Sequence, residues 1–81
     1  MNEQGAYVGQ TGIGWAIKLM HNGEKVSRKG WNVPGQFLAM QKPDAGSLMT
    51  VPYIYITTVQ GARVPWAASQ TDLLAIDWYI A

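Results

Sequence analysis

No cysteine occurs among the 81 residues, which excludes a disulfide framework, a zinc ribbon and a thiol nucleophile. Charge is scarce: Asp, Glu, Lys and Arg together make up 14 % of the chain, against about 25 % in an average globular domain. Six basic and five acidic residues leave a net charge of +1. That is far too little for a protein that tracks phosphates along a nucleic acid, so no such partner is expected. No apolar run reaches about 18 residues, and no membrane span is expected. Nor does a basic stretch precede an apolar one near residue 1, so no signal peptide is expected. The GxGxxG, P-loop, HExxH and GxSxG patterns do not occur. There is no internal repeat and no low-complexity tract.

Hydrophobic residues make up 48 % of the chain, too many for a disordered tail. The length allows one domain. We read an N-terminal arm at 1–11 and a single ligand-binding domain at 12–81. Folding alone would bury about 8,000 Å², contributing on the order of 120 kcal/mol. Ordering the chain costs on the order of 120 kcal/mol as well. With nothing left over, oligomerisation is expected. Four Trp and four Tyr exceed what one small core needs, and both residue types favour interfaces and ligand pockets.

The patterning predicts an α+β fold: a small, mainly antiparallel sheet with one packed helix, and a short second helix before the last strand. Ile13, Ala16, Ile17 and Met20 form an apolar stripe at helical spacing, with Thr11 as N-cap and Gly23 as the stop. Strands are predicted at 25–28, 37–41, 53–59, 62–64 (ended by Pro65) and 77–80, and Tyr7-Val8 could add an edge. The strand at 53–59 alternates Ile54/Ile56/Thr58 with Tyr53/Tyr55/Thr57. Neither face is polar, so one should meet the helix and the other a partner subunit. Ser69 with Asp72 three residues later is a capping-box pattern.

Catalysis finds little material. The single histidine, His21, falls in the last turn of the first helix, where a cation complements the dipole. Asp72 and Asp77 are not an acid/base pair on one helix face. No catalytic residue, metal or cofactor is expected. Binding is better supplied. Arg28, Trp31 and Asn32 sit in a Gly-flanked loop that lets backbone approach a ligand, and an indole can stack on a base. Two readings stand for this loop: a ligand site, or Trp31 packed on the core with Arg28 paired to Asp72 or Asp77. Pro65 to Asp72 is a second candidate. It brings Trp66 beside a helix start, and Asp72 there suits a ribose hydroxyl or adenine amino group better than a phosphate. Arg63 becomes a phosphate clamp only if it shares a cleft with Arg28.

The run Lys25-Val26-Ser27-Arg28-Lys29-Gly30-Trp31-Asn32 follows the amphipathic helix. Val64-Pro65-Trp66-Ala67-Ala68-Ser69-Gln70-Thr71-Asp72-Leu73-Leu74-Ala75 comes later, then Asp77-Trp78. Together, in this order, they resemble a phage family over residues 12–81: the second type of Thoeris anti-defence protein. The resemblance implies a sponge in the cytoplasm of the infected bacterial host. It would bind cyclic ADP-ribose isomers made by bacterial TIR-domain enzymes and leave them uncleaved. It further implies a homotetramer with pockets between subunits; some members also hold cyclic dinucleotides at a separate site. Trp31, Asn32, Trp66, Ser69, Gln70, Thr71 and Asp72 match motif positions and are the implied pocket residues. Arg28 matches one too, whereas Arg63 rests on geometry alone. On this reading Trp31 or Trp66 stacks the purine, Asn32 and Asp72 contact its edge or the ribose, and Arg28 with Arg63 neutralises the diphosphate. The arm at 1–11, the loop at 42–52 and the strand YIYITT have no residue-by-residue match. The alternative is a small phage structural or interaction protein with no small-molecule ligand.

Overall fold

A computed structural model describes residues 11–81. All of the expected arm but its last residue, 1–10 with the expected Tyr7-Val8 strand, lies outside the described residues. Helix α1 spans Ile13–His21. It begins one turn residue later than the spacing predicts: Gly12, not Thr11, is the N-cap. Extended backbone at Gly12 lets its carbonyl accept from Ala16 N–H at 3.1 Å, so the first turn closes without a side-chain cap. The helix stops as expected at Gly23. Its φ of 90° is a left-handed conformation that suits glycine. Gly23 N–H bonds Met20 O and Glu24 N–H bonds Leu19 O, satisfying two carbonyls of the last turn.

Five strands follow the α+β expectation: β1 Val26–Arg28, β2 Phe37–Gln41, β3 Tyr53–Thr57, β4 Arg63–Pro65 and β5 Trp78–Ile80. A short helix, α2, Gln70–Leu74, precedes the last strand. The sheet order is β4-β3-β2-β1-β5, and every neighbouring pair is antiparallel. Four strands differ in their limits from the patterning: β1 and β5 each start one residue later, β3 ends two residues earlier, and β4 is shifted one residue along the chain. β3 ends at Thr57 because Thr58 becomes the hinge of the hairpin: it bonds Ala62 O through N–H and accepts from Gly61 N–H. β4 runs through Pro65 rather than stopping before it. Proline is tolerated there because β4 is an edge strand. Trp66 N–H bonds inward to Ile54 O, so by alternation the Pro65 nitrogen faces the outer edge.

Alternation divides the sheet cleanly. Val26, Leu38 and Ile56 are in register across β1, β2 and β3. Val26 and Leu38 are fully buried, and Ala16, Met20 and Trp78 complete the core. Helix α1 packs on β1, β2 and β5 and covers this side. Trp15 and Leu19 widen its apolar stripe and rest on the same core. The other side carries Phe37, Ala39, Tyr53, Tyr55, Thr57 and Arg63. No helix among the described residues packs on it. Lys25 lies over the Phe37 ring and Arg63 over the Tyr55 ring. Thr57 Oγ1 is buried there with no hydrogen-bond partner.

Candidate functional site

Three tryptophans meet on the helix side of the sheet. Trp78 of β5 is 2 % exposed. Trp31 approaches it edge-on at 5.5 Å, and Trp66 does so at 6.0 Å. The outer two rings are held by backbone. Trp31 N–H bonds Arg28 O at 3.3 Å in a turn leaving β1, and Trp66 N–H continues the β3–β4 ladder. Between them lies a cleft of about 250 Å³, lined by Trp31, Asn32, Val33, Gln36, Ile56, Trp66 and Asp72. The loop after β1 and the segment after β4, 35 residues apart at Trp31 and Trp66, thus build one wall-and-floor arrangement.

Asp72 comes from α2. Ser69 caps that helix as expected: its hydroxyl accepts from Asp72 N–H, and its own N–H donates to Asp72 Oδ2 at 3.4 Å. Asp72 Oδ1 accepts from Trp31 Nε1 at 3.0 Å and from Arg28 Nη1 at 2.8 Å. Trp78 Nε1 bonds the Asp72 carbonyl at 3.3 Å. Removing the cap in Ser69→Ala is expected to cost about 1 kcal/mol. A thermal melt should then fall by about 4–8 °C.

The second of the two readings of Arg28 holds within the chain. Its guanidinium bonds Asp72 on one side and Asp77 Oδ1, through Nε at 2.8 Å, on the other. Side-chain exposures of 11 % for Arg28, 13 % for Asp72 and 30 % for Asp77 put this cluster largely out of water. Asp77 Oδ2 also accepts from Gly30 N–H at 2.7 Å. The approach is so close that a Cβ on Gly30 would lie 2.8 Å from Asp77 Oδ2 and 2.9 Å from Arg28 Nη2.

Ionisation follows from these contacts. Burial opposes a charge on Asp72, but hydrogen bonds from Trp31, Arg28 and Ser69 outweigh it and hold the carboxyl below the usual range. For Asp77 the Arg28 hydrogen bond is the largest influence; with Gly30 N–H it overcomes burial and again lowers the value. Arg28 is raised in turn, first by Asp77 and then by Asp72. All three are charged at neutral pH, and the cluster carries one net negative charge.

The predicted residues therefore separate into groups. Trp31, Asn32, Trp66 and Asp72 line one cleft, and Arg28 stands behind it. Ser69, Gln70 and Thr71 are exposed on the first turn of α2 beside Asp72. Arg63 does not join them. Paired with Thr57 across β3 and β4, it lies on the opposite side of the sheet. There it borders a space of about 80 Å³ with Gln41, Tyr53, Tyr55, Val64 and Pro65. His21 is exposed, and its carbonyl accepts from Lys42 Nζ. The patterning gave no site role to Val33, Gln36 and Ile56, although they line the cleft. Nor did it give one to Asp77, which touches the loop but not the cleft. A larger space of about 500 Å³ lies on the Asp77 side, between Trp15 and Ile76 to Ile80.

Among the described residues no group of three His, Cys, Asp or Glu could hold a metal ion. No helix among them is long and apolar enough to cross a membrane. Residues 11–81, including both halves of the cleft, match the Tad2-like family, described as the Thoeris anti-defense 2-like domain. A protein named Thoeris anti-defense 2, from Bacillus phage SP01, is 34 % identical over 81 aligned residues; these cover 84 % of this chain and 91 % of that one. With the family's match running through the cleft-forming loop, the cap of α2 and β5, the chain belongs to the Thoeris anti-defense 2-like family of phage anti-defence proteins.

Proposed function

We propose that this protein blocks Thoeris immunity by sequestering cyclic ADP-ribose-type signalling nucleotides made by bacterial TIR-domain enzymes, without cleaving them. The observation that carries this reading is the tryptophan-walled cleft with an ionised carboxylate fixed at its edge. Stacking on an indole is worth about 1–3 kcal/mol per base. Asp72 Oδ2 makes only one long hydrogen bond, which leaves acceptor capacity for a ribose hydroxyl or an adenine amino group. Asn32, exposed at the rim, adds a donor and an acceptor. Arg28 serves this site through Asp72. Neutralising the diphosphate falls to Arg63, supplied by another copy.

The proposal includes a homo-oligomer, a tetramer with shared clefts. A space of about 250 Å³ falls below the usual 300–1,000 Å³ of small-molecule pockets, so a neighbouring chain would complete it. The aromatic side of the sheet, on which no helix among the described residues packs, is suited to face another copy. The exposed Leu74, Ile76 and Ile80 offer further apolar contact.

Calorimetry against a panel of cyclic ADP-ribose isomers and cyclic dinucleotides tests the reading. Nanomolar binding of an isomer is expected, with intact ligand recovered after heat denaturation. Recovery of a cleaved product would make the protein an enzyme. No binding to any member, together with gel filtration that retains no small molecule from a nucleotide extract, would leave a structural or interaction protein.

A further inference from the structure

The geometry points to Asp77 as the positioning residue of the cleft: from outside it, Asp77 sets the placement of Trp31 and Asp72 through Arg28 and the Gly30 amide. This inference rests on the cleft being the ligand site. Asp77 does not line it; it borders the larger space on the far side of Arg28. Its two oxygens nevertheless act on both parts of the cleft wall. Oδ1 holds Arg28 Nε at 2.8 Å, which orients Nη1 toward Asp72 Oδ1. Oδ2 holds Gly30 N–H at 2.7 Å, one residue before Trp31. The Asp77 carbonyl accepts from Lys29 N–H at 3.2 Å. Three successive residues, the last of β1 and the two that follow it, are thus tied to the residue just before β5.

Without Asp77, Arg28 keeps a single carboxylate partner and Gly30 N–H loses its acceptor. The guanidinium is then free to swing, and Asp72 Oδ1, shared between Arg28 and Trp31, swings with it. Hydrogen-bonded groups behind a binding site fix the orientation of those that touch the ligand. A glycine at position 30 fits the same device, because any side chain there would displace Asp77 or Arg28.

The test compares the full chain with Asp77→Ala, Asp77→Asn and Gly30→Ala. It reads hydrogen exchange of the Trp31 indole N–H by NMR, affinity for cyclic ADP-ribose by calorimetry, and Tm. Asp77→Ala and Gly30→Ala are expected to speed indole exchange about tenfold and weaken binding about tenfold. Asp77→Asn keeps one oxygen for two donors, so it can serve Gly30 N–H or Arg28 but not both, and its indole exchange and affinity should fall between those of Ala and wild type while its Tm stays lowered. A lowered Tm in Asp77→Ala with indole exchange and affinity within about twofold of wild type would show a brace with no positioning role and overturn the inference. So would an Asn variant no better than Ala. If Asp77→Ala does not fold, Asp77→Asn and Gly30→Ala decide. If the wild-type protein binds no cyclic ADP-ribose isomer of the panel, the sequestration reading fails, and the indole exchange still reports whether Asp77 sets Trp31.

Discussion

Arg28→Ala is expected to lose about 3 kcal/mol of stability at pH 7 and to melt about 12–24 °C lower. The substitution leaves Asp72 and Asp77 facing one another with no cation between them, and both are substantially shielded from water. The figure sits at the lower end for a broken buried pair because Asp77 is 30 % exposed and solvent screens it. Acid should shrink the difference. In the wild type both carboxyls are held below their ordinary value of 3.8. Their contribution is fully present above that value and is lost as pH falls through the depressed folded values. In the variant the lone pair of carboxylates is pushed upward, and protonation relieves the repulsion. Urea unfolding at pH 7 and pH 4 checks this: the gap between the two proteins should narrow at pH 4. Arg28→Lys should rescue little, since a single ammonium cannot reproduce the fork that spans two carboxylates.

Trp31→Ala is expected to weaken nucleotide binding by about 2–3 kcal/mol, or about 30- to 150-fold. It removes a stacking wall and also the indole N–H that helps hold Asp72. Trp31→Phe separates the two contributions. The ring remains and the Asp72 hydrogen bond does not, so a loss of about 1 kcal/mol is expected. Calorimetry of the three proteins, with a thermal melt of each, distinguishes a binding defect from a packing defect. A Trp31→Ala protein of unchanged affinity would mean that the nucleotide binds elsewhere. Asp72→Ala is a poorer probe. Asp72 caps α2 and pairs with Arg28 as well as lining the cleft, so its removal mixes stability with recognition.

Local rules made much of the architecture legible. The stripe from Ile13 to Met20, the Gly23 stop, the Ser69–Asp72 box and the β-branched run at 53–57 each carry their own signal, and each forms the expected element. One limit moved for a non-local reason. Pro65 joins a strand because β4 falls at the edge, a fact of topology that no window of sequence contains. The cleft shows the same division. Trp31, Asn32, Trp66 and Asp72 stand out by residue type and by their place in Gly- and Pro-marked segments. Ile56 becomes a wall residue only once Leu38 pairs with it and Val64 flanks it. Asp77 was legible as one possible partner of Arg28, but not as its simultaneous partner with Asp72. That three-way contact requires β5 to return beside β1 in the register Arg28↔Trp78. Arg63 illustrates the opposite failure: its neighbours in sequence suggest the cleft, but the pleat sends it to the other side.

The placement of Pro65 has a bearing on how copies of this chain can meet. An open strand margin ordinarily invites another strand to dock and prolong the ribbon, molecule after molecule. Here the β4 margin is three residues long, with a proline nitrogen that cannot donate and a guanidinium two positions before it. Strand addition along that seam forfeits a donor and meets a charge, so the margin is blunted. On the sequestration reading proposed above, copies meet instead through the aromatic surface and form closed, countable complexes, the kind of particle a stoichiometric scavenger must remain while it accumulates.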